Sequence, residues 1–281
     1  MKTGKWSIEE LDYIRNHYVK DGSIIVGKAL NRSHRHVGSM ASHLGIKRGW
    51  GKVRIRKYAI NDRFFNTWGR KSAYIVGLIL ADGNLSPSGR EFSISSKDIE
   101  LLEKAKRALE SEQPIRKING KNLYMLSIGN KRMVNDLEKI GITQNKSKTL
   151  TMPDVPDEYF FDFLRGYIDG DGMIDYRHKK GITVKLCTGS PYILDDISSI
   201  ISTSLNIHKC TPATRTGKRR ETISTWYELI YYGQNAAKIC EAIYSHREYL
   251  FLSRKRQAYI DYRDRPKHLG LRHNGNATRY K

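Results

Sequence analysis

Asp82 and Asp171 close two nearly matching segments of this chain. Residues 74–83 read Tyr-Ile-Val-Gly-Leu-Ile-Leu-Ala-Asp-Gly, and residues 163–172 read Phe-Leu-Arg-Gly-Tyr-Ile-Asp-Gly-Asp-Gly. A shift of 89 positions superposes Gly77 on Gly166, Ala81 on Gly170 and Asp82 on Asp171. As helices, both segments carry two small residues four positions apart on one face, a spacing that lets two backbones approach closely. The two helices are therefore expected to pack on each other about a pseudo-twofold axis, with both aspartates at their C-terminal ends. A carboxylate there faces the negative end of the helix dipole, which costs about 0.3–1 kcal/mol at an exposed site. A second carboxylate beside it adds repulsion. A divalent cation resolves the conflict, and Mg²⁺ suits carboxylate, carbonyl and phosphate oxygens. The plainer alternative is an Asp-Gly turn that only ends each helix; the coincidence occurs twice, in a strongly basic chain.

The elements around the two segments also repeat. After the first come an alternating strand over Glu91–Ser96, a helix from Lys97 to about Leu109, strands near Ile115 and over Leu123–Ile128, and a helix over Lys131–Ile140. After the second come a strand over Thr183–Thr188, a helix over Pro191–Leu205, strands over His208–Thr214 and Thr225–Tyr232, and a helix over Gln234–Tyr244. Each copy is αββαββα in outline, an α+β class, with helices on one face of an antiparallel sheet and the other face left open. The open faces and strand ends carry Arg90, Ser93, Arg116 and Lys121 in the first copy, and Lys179, Lys185, Arg215 and Arg219 in the second.

Residues 7–44 predict three short helices. Ser7 and Glu10 have capping-box spacing, Ser23 and Ser33 open the next two segments, and Val37, Met40, Ala41 and Leu44 share one face of the last. Its polar side presents Ser33, His34, Arg35, His36, Ser39 and His43. This pattern resembles a helix-turn-helix module whose last helix enters a major groove; a three-helix bundle with a merely solvated face is the alternative. A basic stretch follows, including Arg54 and Arg56 and interleaved with Trp50, Tyr58 and Trp68, suited either to a phosphate backbone or to a tether. The expected organisation is a front module over 1–48, a linker over 49–71, a first half over 72–152, a second half over 153–263 and a basic tail over 264–281.

Fifty Lys and Arg against 29 Asp and Glu give a net charge of +21, which points to a polyanionic partner. An anionic membrane surface and simple surface charge are the bland alternatives. No stretch approaches the ~20 apolar residues of a membrane span. Cys187, Cys210 and Cys240 are widely spaced, supporting neither a disulfide framework nor a zinc knuckle and fitting a reducing intracellular compartment. The nine His scatter, leaving no Ser-His-Asp or Cys-His arrangement for metal-free chemistry.

With these residues in view, the chain resembles the LAGLIDADG homing endonucleases. Ile75–Gly83 and Leu164–Gly172 match the family's nine-residue motif, and Phe64-Phe65 through Trp68 match sequence often found before it. The resemblance spans about residues 60–262 and is to the monomeric two-motif class, with the front helices added. It implies a saddle of two αββαββα halves straddling double-stranded DNA and cutting both strands with two or more Mg²⁺ ions. It implies metal binding by Asp82 and Asp171 with the Ala81 and Gly170 carbonyls. Lys146 and Lys255 match the family's basic residue near the site. Ser96 and Thr188 stand where relatives often carry a Gln or another polar residue that contacts solvent at the metals, a departure that weakens a water-ordering role. Leu80 replaces the motif's sixth-position acid in the first copy, and Asp169 in the second reads as structural.

Two other functions compete. One is an RNA-splicing maturase, against which the front module stands, since it suits a B-form major groove. The other is a non-cleaving DNA-binding regulator, against which retention of both aspartates stands. The expected host element is an intron or a freestanding mobile element, the initial Met and absent splicing residues disfavouring an intein. The expected location is cytoplasmic for a bacterium or phage, with an organelle the alternative.

Overall fold

The computed structural model describes residues 2, 4–46, 58–143, 150–219, 222–246 and 249–265. The chain divides into two compact units, Met1–Lys57 and Tyr58–Lys281.

In the first unit, helix α1 spans Ile8–Ala29, with a break at Gly22 (φ 76°, ψ 169°), next to the serine expected to open a second segment. Ser7 and Glu10 form the expected capping box. Helix α2, His34–His43, starts at Ser33, whose hydroxyl accepts from the His36 N–H. Ile14, Val26, Val37 and Ala41 form a small core. Arg32 locks the turn before α2. Its guanidinium pairs with Glu10 at 2.8 Å, donates to the Gly4 and Lys5 carbonyls and lies 4.0 Å over Trp6. The Arg32 hydrogen bond holds the Glu10 carboxyl down at about 2.

The second unit contains the doubled fold. Its first half runs α3 (Arg70–Asp82), β1 (Gly83–Leu85), β2 (Glu91–Ser96), α4 (Ile99–Ala108), β3 (Arg116–Lys117), β4 (Tyr124–Gly129), α5 (Lys131–Lys139). Its second runs α6 (Phe160–Asp171), β5 (Met173–Arg177), β6 (Gly181–Thr188), α7 (Pro191–Leu205), β7 (Ala213–Arg219), β8 (Thr222–Tyr232), α8 (Gly233–Ile243). The two antiparallel sheets share one topology, β1-β2-β4-β3 and β5-β6-β8-β7. On β2 and β6, Phe92, Ile94, Ile182, Val184 and Leu186 face a single core with α3 and α6 at its centre, and Ser93, Ser95, Thr183 and Lys185 take the opposite face.

Three features depart from the sequence expectation. The stretch expected to be linker through 71 joins the second unit from Tyr58. Phe65 meets Phe92 edge-on, and Ala59 exchanges hydrogen bonds with Glu112. Strand β7 begins at Ala213 rather than His208. A final helix, α9 (Ser253–Arg263), follows the second half and bridges both. At its start Arg254 meets Asp98 at 3.0 Å, Ser253 contacts Glu100, and Lys104 donates to the Phe251 carbonyl.

Candidate functional site

The site is built on the contact between α3 and α6. A Cβ placed on Gly77 would lie 2.1 Å from the Phe163 carbonyl oxygen, and one on Gly166 would lie 2.0 Å from that of Tyr74. Only hydrogen fits at either position, so the helix backbones touch there. Farther along, Ala81 occupies the gap left by Gly170, where a Cβ would come 2.5 Å from Ala81 Cβ and 3.4 Å from Asp82 Oδ2. The small residues therefore set how closely Asp82 approaches the end of α6, where Asp171 is the last helical residue. Gly83 and Gly172 follow in extended conformation, with φ −96° and −93°. Their missing side chains matter sterically: a Cβ would come 2.5 Å from the Ile79 oxygen or 2.7 Å from the Ile168 Cα as each helix passes straight into a strand.

Asp171 is exposed and Asp82 half-buried. A cavity of ≈ 320 Å³ is lined in part by Asp171, Ala81, Asn84, Tyr167 and Thr188. Thr188 thus comes to the same place as Asp171. Ser96 is buried, and its hydroxyl accepts from the Asp98 N–H. Lys146 lies outside the described residues. Among the described residues no group of three or more His, Cys, Asp or Glu side chains gathers to hold a metal.

Lys255 reaches the seam from beneath. It is 2 % exposed, and its ammonium donates to the carbonyls of Ile168 (2.5 Å), Asp169 (3.0 Å) and Gly172 (2.7 Å). These are carbonyls at and just past the end of α6, so the lysine caps the negative pole of that helix. Burial lowers its pKa to about 8, against the pull of Asp169. The Asp169 carboxylate accepts from Tyr74 Oη and from the Leu252 N–H, each at 2.8 Å, tying α6 to α3 and to the start of α9. Burial raises the Asp169 carboxyl above its usual range. Arg165, also buried, donates to the Leu250 and Ile243 carbonyls and to Asp162. None of these anchors shows in the local pattern; a buried-helix Arg and an extra Asp were the available signals.

The model of the LAGLIDADG-like domain family matches residues 70–141 and 158–244, more than half of the chain. The chain belongs to the LAGLIDADG family. Solved structures match the chain at low identity. The I-LtrWI LAGLIDADG homing endonuclease bound to target DNA is 17% identical, with 72% of this chain and 89% of that one covered and a TM-score of 0.38. I-DmoI in complex with DNA and Ca is 16% identical, with 63% and 91% covered and a TM-score of 0.42. Full-length DUF199/WhiA from Thermatoga maritima is 15% identical, with 73% and 66% covered and a TM-score of 0.41. No curated protein matches the chain by sequence.

Within the LAGLIDADG unit, the basic residues singled out from the sequence fall in two settings. Arg90, Lys121 and Lys179 are exposed on turns beside strands. Arg116 is exposed on β3, Ser93 lies on the open face of β2, and Lys185 and Arg215 lie on the open face of the second sheet. Arg54 and Arg56 lie outside the described residues, as does the side chain of Arg219. In the front unit, His34, Arg35, His36, Ser39 and His43 are exposed on α2 and Ser33 is half-buried.

Sequence reasoning missed Glu228, which gathers Lys185, Arg215 and Trp226 on the open face of the second sheet. Hydrogen bonds from Trp226 and Arg215 hold its carboxyl down at about 2. An acid at an outward position of a strand, in a chain this basic, was the signal that could have found it.

Proposed function

We propose that this LAGLIDADG protein is a site-specific endonuclease that hydrolyses both strands of double-stranded DNA with divalent cations, Mg²⁺ in the first instance, at the α3–α6 seam. The observation that carries the reading is the placement of Asp82 and Asp171 at the C-terminal ends of two helices in backbone contact. The donor set fits a hard cation: two carboxylates at negative helix poles, with the Ala81 and Gly170 carbonyls beside them. Asp82, Asp171 and those two carbonyls would hold the ions. A bound divalent cation supplies activation of water and charge neutralisation at the scissile phosphate.

The chain's own residues do the rest. The seam fixes the spacing of the two carboxylates, and the open sheet faces and the exposed face of α2 offer Lys and Arg to phosphates and base edges. Thr188 lines the cavity beside Asp171 and is suited to hold water there. Lys255, with its ammonium spent on three carbonyls, acts by positioning the end of α6. The front unit serves as a helix-turn-helix reader.

The test uses the full chain, Mg²⁺ and a randomised duplex library, with cleavage and binding read separately. Asp82→Asn and Asp171→Asn should each slow double-strand cleavage by more than about 100-fold, beyond the loss typical of an outer-shell partner, while binding stays within a few-fold. Cleavage at the normal rate by either variant refutes the site. Specific binding with no cleavage by the unaltered protein would put a regulator in place of a nuclease.

A further inference from the structure

The open face of the second sheet carries an arrangement that the fold does not require. Glu228 accepts from Arg215 Nε at 3.0 Å, from Lys185 Nζ at 3.2 Å and from Trp226 Nε1 at 3.1 Å. Its side chain is 12% exposed, against 50% for Arg215. The Trp226 ring lies against Gly217, where a Cβ would come 3.0 Å from two ring carbons, so the strand opposite leaves room for it. Cys187 Sγ lies 3.9 Å from the same carboxylate.

The first half has the same sheet without this cluster. Cys187 pairs with Glu228 across β6 and β8, and its counterpart Ser95 pairs with Met125 across β2 and β4. A methionine therefore serves at the equivalent position of the other sheet. A purely structural role also gains little, because a half-exposed ion pair is worth about 0–1 kcal/mol. What the carboxylate does achieve is geometric. An arginine held through Nε keeps its plane fixed and leaves the two terminal amino groups, for which no partner is found among the described residues, to pair with something else. Two parallel N–H donors on a fixed plane match the O6 and N7 acceptors of guanine in a major groove.

We propose that Glu228 is a specificity-determining positioning residue: it holds Arg215, with Trp226 and Lys185 as supports, to read one guanine on the second half's side of the bound DNA. This rests on the DNA-binding part of the function proposed above and not on cleavage. Loss of Glu228 would free Arg215 and Lys185 to meet any phosphate, trading selectivity for general affinity.

The experiment is selection of bound duplexes from a randomised DNA library, in Ca²⁺ or without metal, comparing the full-length protein with Glu228→Ala, Arg215→Ala and the double variant. Discrimination at one G·C pair should fall roughly 5- to 140-fold in either single variant, the range for removal of one bidentate pair. The double variant should lose no more than Arg215→Ala alone, since Glu228 acts through Arg215. Binding of Glu228→Ala to unrelated duplex should rise or hold, and Glu228→Gln, which keeps an acceptor for Nε, should retain part of the preference. Melting temperatures serve as the control. An unchanged sequence preference in Glu228→Ala, additive losses in the double variant, or no sequence preference in the unaltered protein would each overturn the proposal. Specific binding by the unaltered protein without cleavage would instead remove the nuclease reading and leave this one standing.

Discussion

At the residue scale, the least expected side chain is Lys255. A sequence resemblance offers it as the basic residue near the site, yet its three N–H donors end on three carbonyls at and just past the end of α6. Lys255→Met should therefore act first on stability. The Ile168 carbonyl keeps the Gly172 N–H at 2.9 Å, but the buried Asp169 carbonyl and the half-buried Gly172 carbonyl each lose a charged donor. At about 1–3 kcal/mol for an unmet buried group, partly offset by relief from burying a charge, a net loss of about 2 kcal/mol is expected. A unit of this size should then melt about 4–8 °C lower, and an unchanged melting temperature in calorimetry would sink the capping role. Linkage gives this effect a pH signature. The folded state releases the lysine proton near 8, whereas the unfolded chain keeps it to about the ordinary 10.5, so the lysine's contribution should rise between those values. The sequence could not reveal this cap, because the ammonium and its acceptors are more than eighty residues apart. Asp169 was easier: an acid inside an apolar helical run must be paired if buried, and Tyr74 and Leu252 pair it.

At the element scale, the α3–α6 contact rests on two glycines that meet backbone rather than side chains. Gly77→Ala would place a methyl 2.1 Å from the Phe163 oxygen, and Gly166→Ala one 2.0 Å from the Tyr74 oxygen. No rotamer change relieves a clash with a carbonyl, so the helices must move apart. Ordinary overpacking costs about 1–3 kcal/mol, and these substitutions should meet or exceed the upper figure in denaturant unfolding. Gly129→Ala is the matched control: nothing lies within 4 Å of its Cβ position, and its stability should hardly change. A Gly77→Ala protein as stable as the control would mean the seam is looser than described. This seam was legible in the sequence because its cause is a four-residue spacing within each helix. The start of β7 was not. Its register, Arg215 opposite Trp226 and Gly217 opposite Ser224, is chosen by the partner strand. The stretch from Tyr58 to Trp68 misread as linker for a related reason: its positive charge was conspicuous, while the partners of Phe65 and Ala59 lie about thirty to fifty residues away.

At the scale of the whole molecule, charge and division into units set what the proposed function predicts for DNA binding. The first unit, residues 1–57, holds 13 Lys and Arg against 4 Asp and Glu, so a large share of the net +21 sits outside the LAGLIDADG unit. Neither the polar face of α2 nor the charge excess needed the fold to be seen, because both follow from spacing and composition; which base pairs they meet depends on docked geometry. The two units make separable contributions if the front one reads DNA and the rear one cuts it. Deleting residues 1–57 should then shorten the footprint and weaken binding while leaving the cut positions in place. Each phosphate that the protein no longer neutralises should lower the slope of log affinity against log salt by about 0.9, so the truncated protein should bind with a shallower salt dependence than the full chain. Footprinting and salt titrations of both forms on one selected duplex measure this directly. An unchanged footprint and slope would make the front unit a bystander, whereas altered cut positions would mean that it helps register the LAGLIDADG unit on its site.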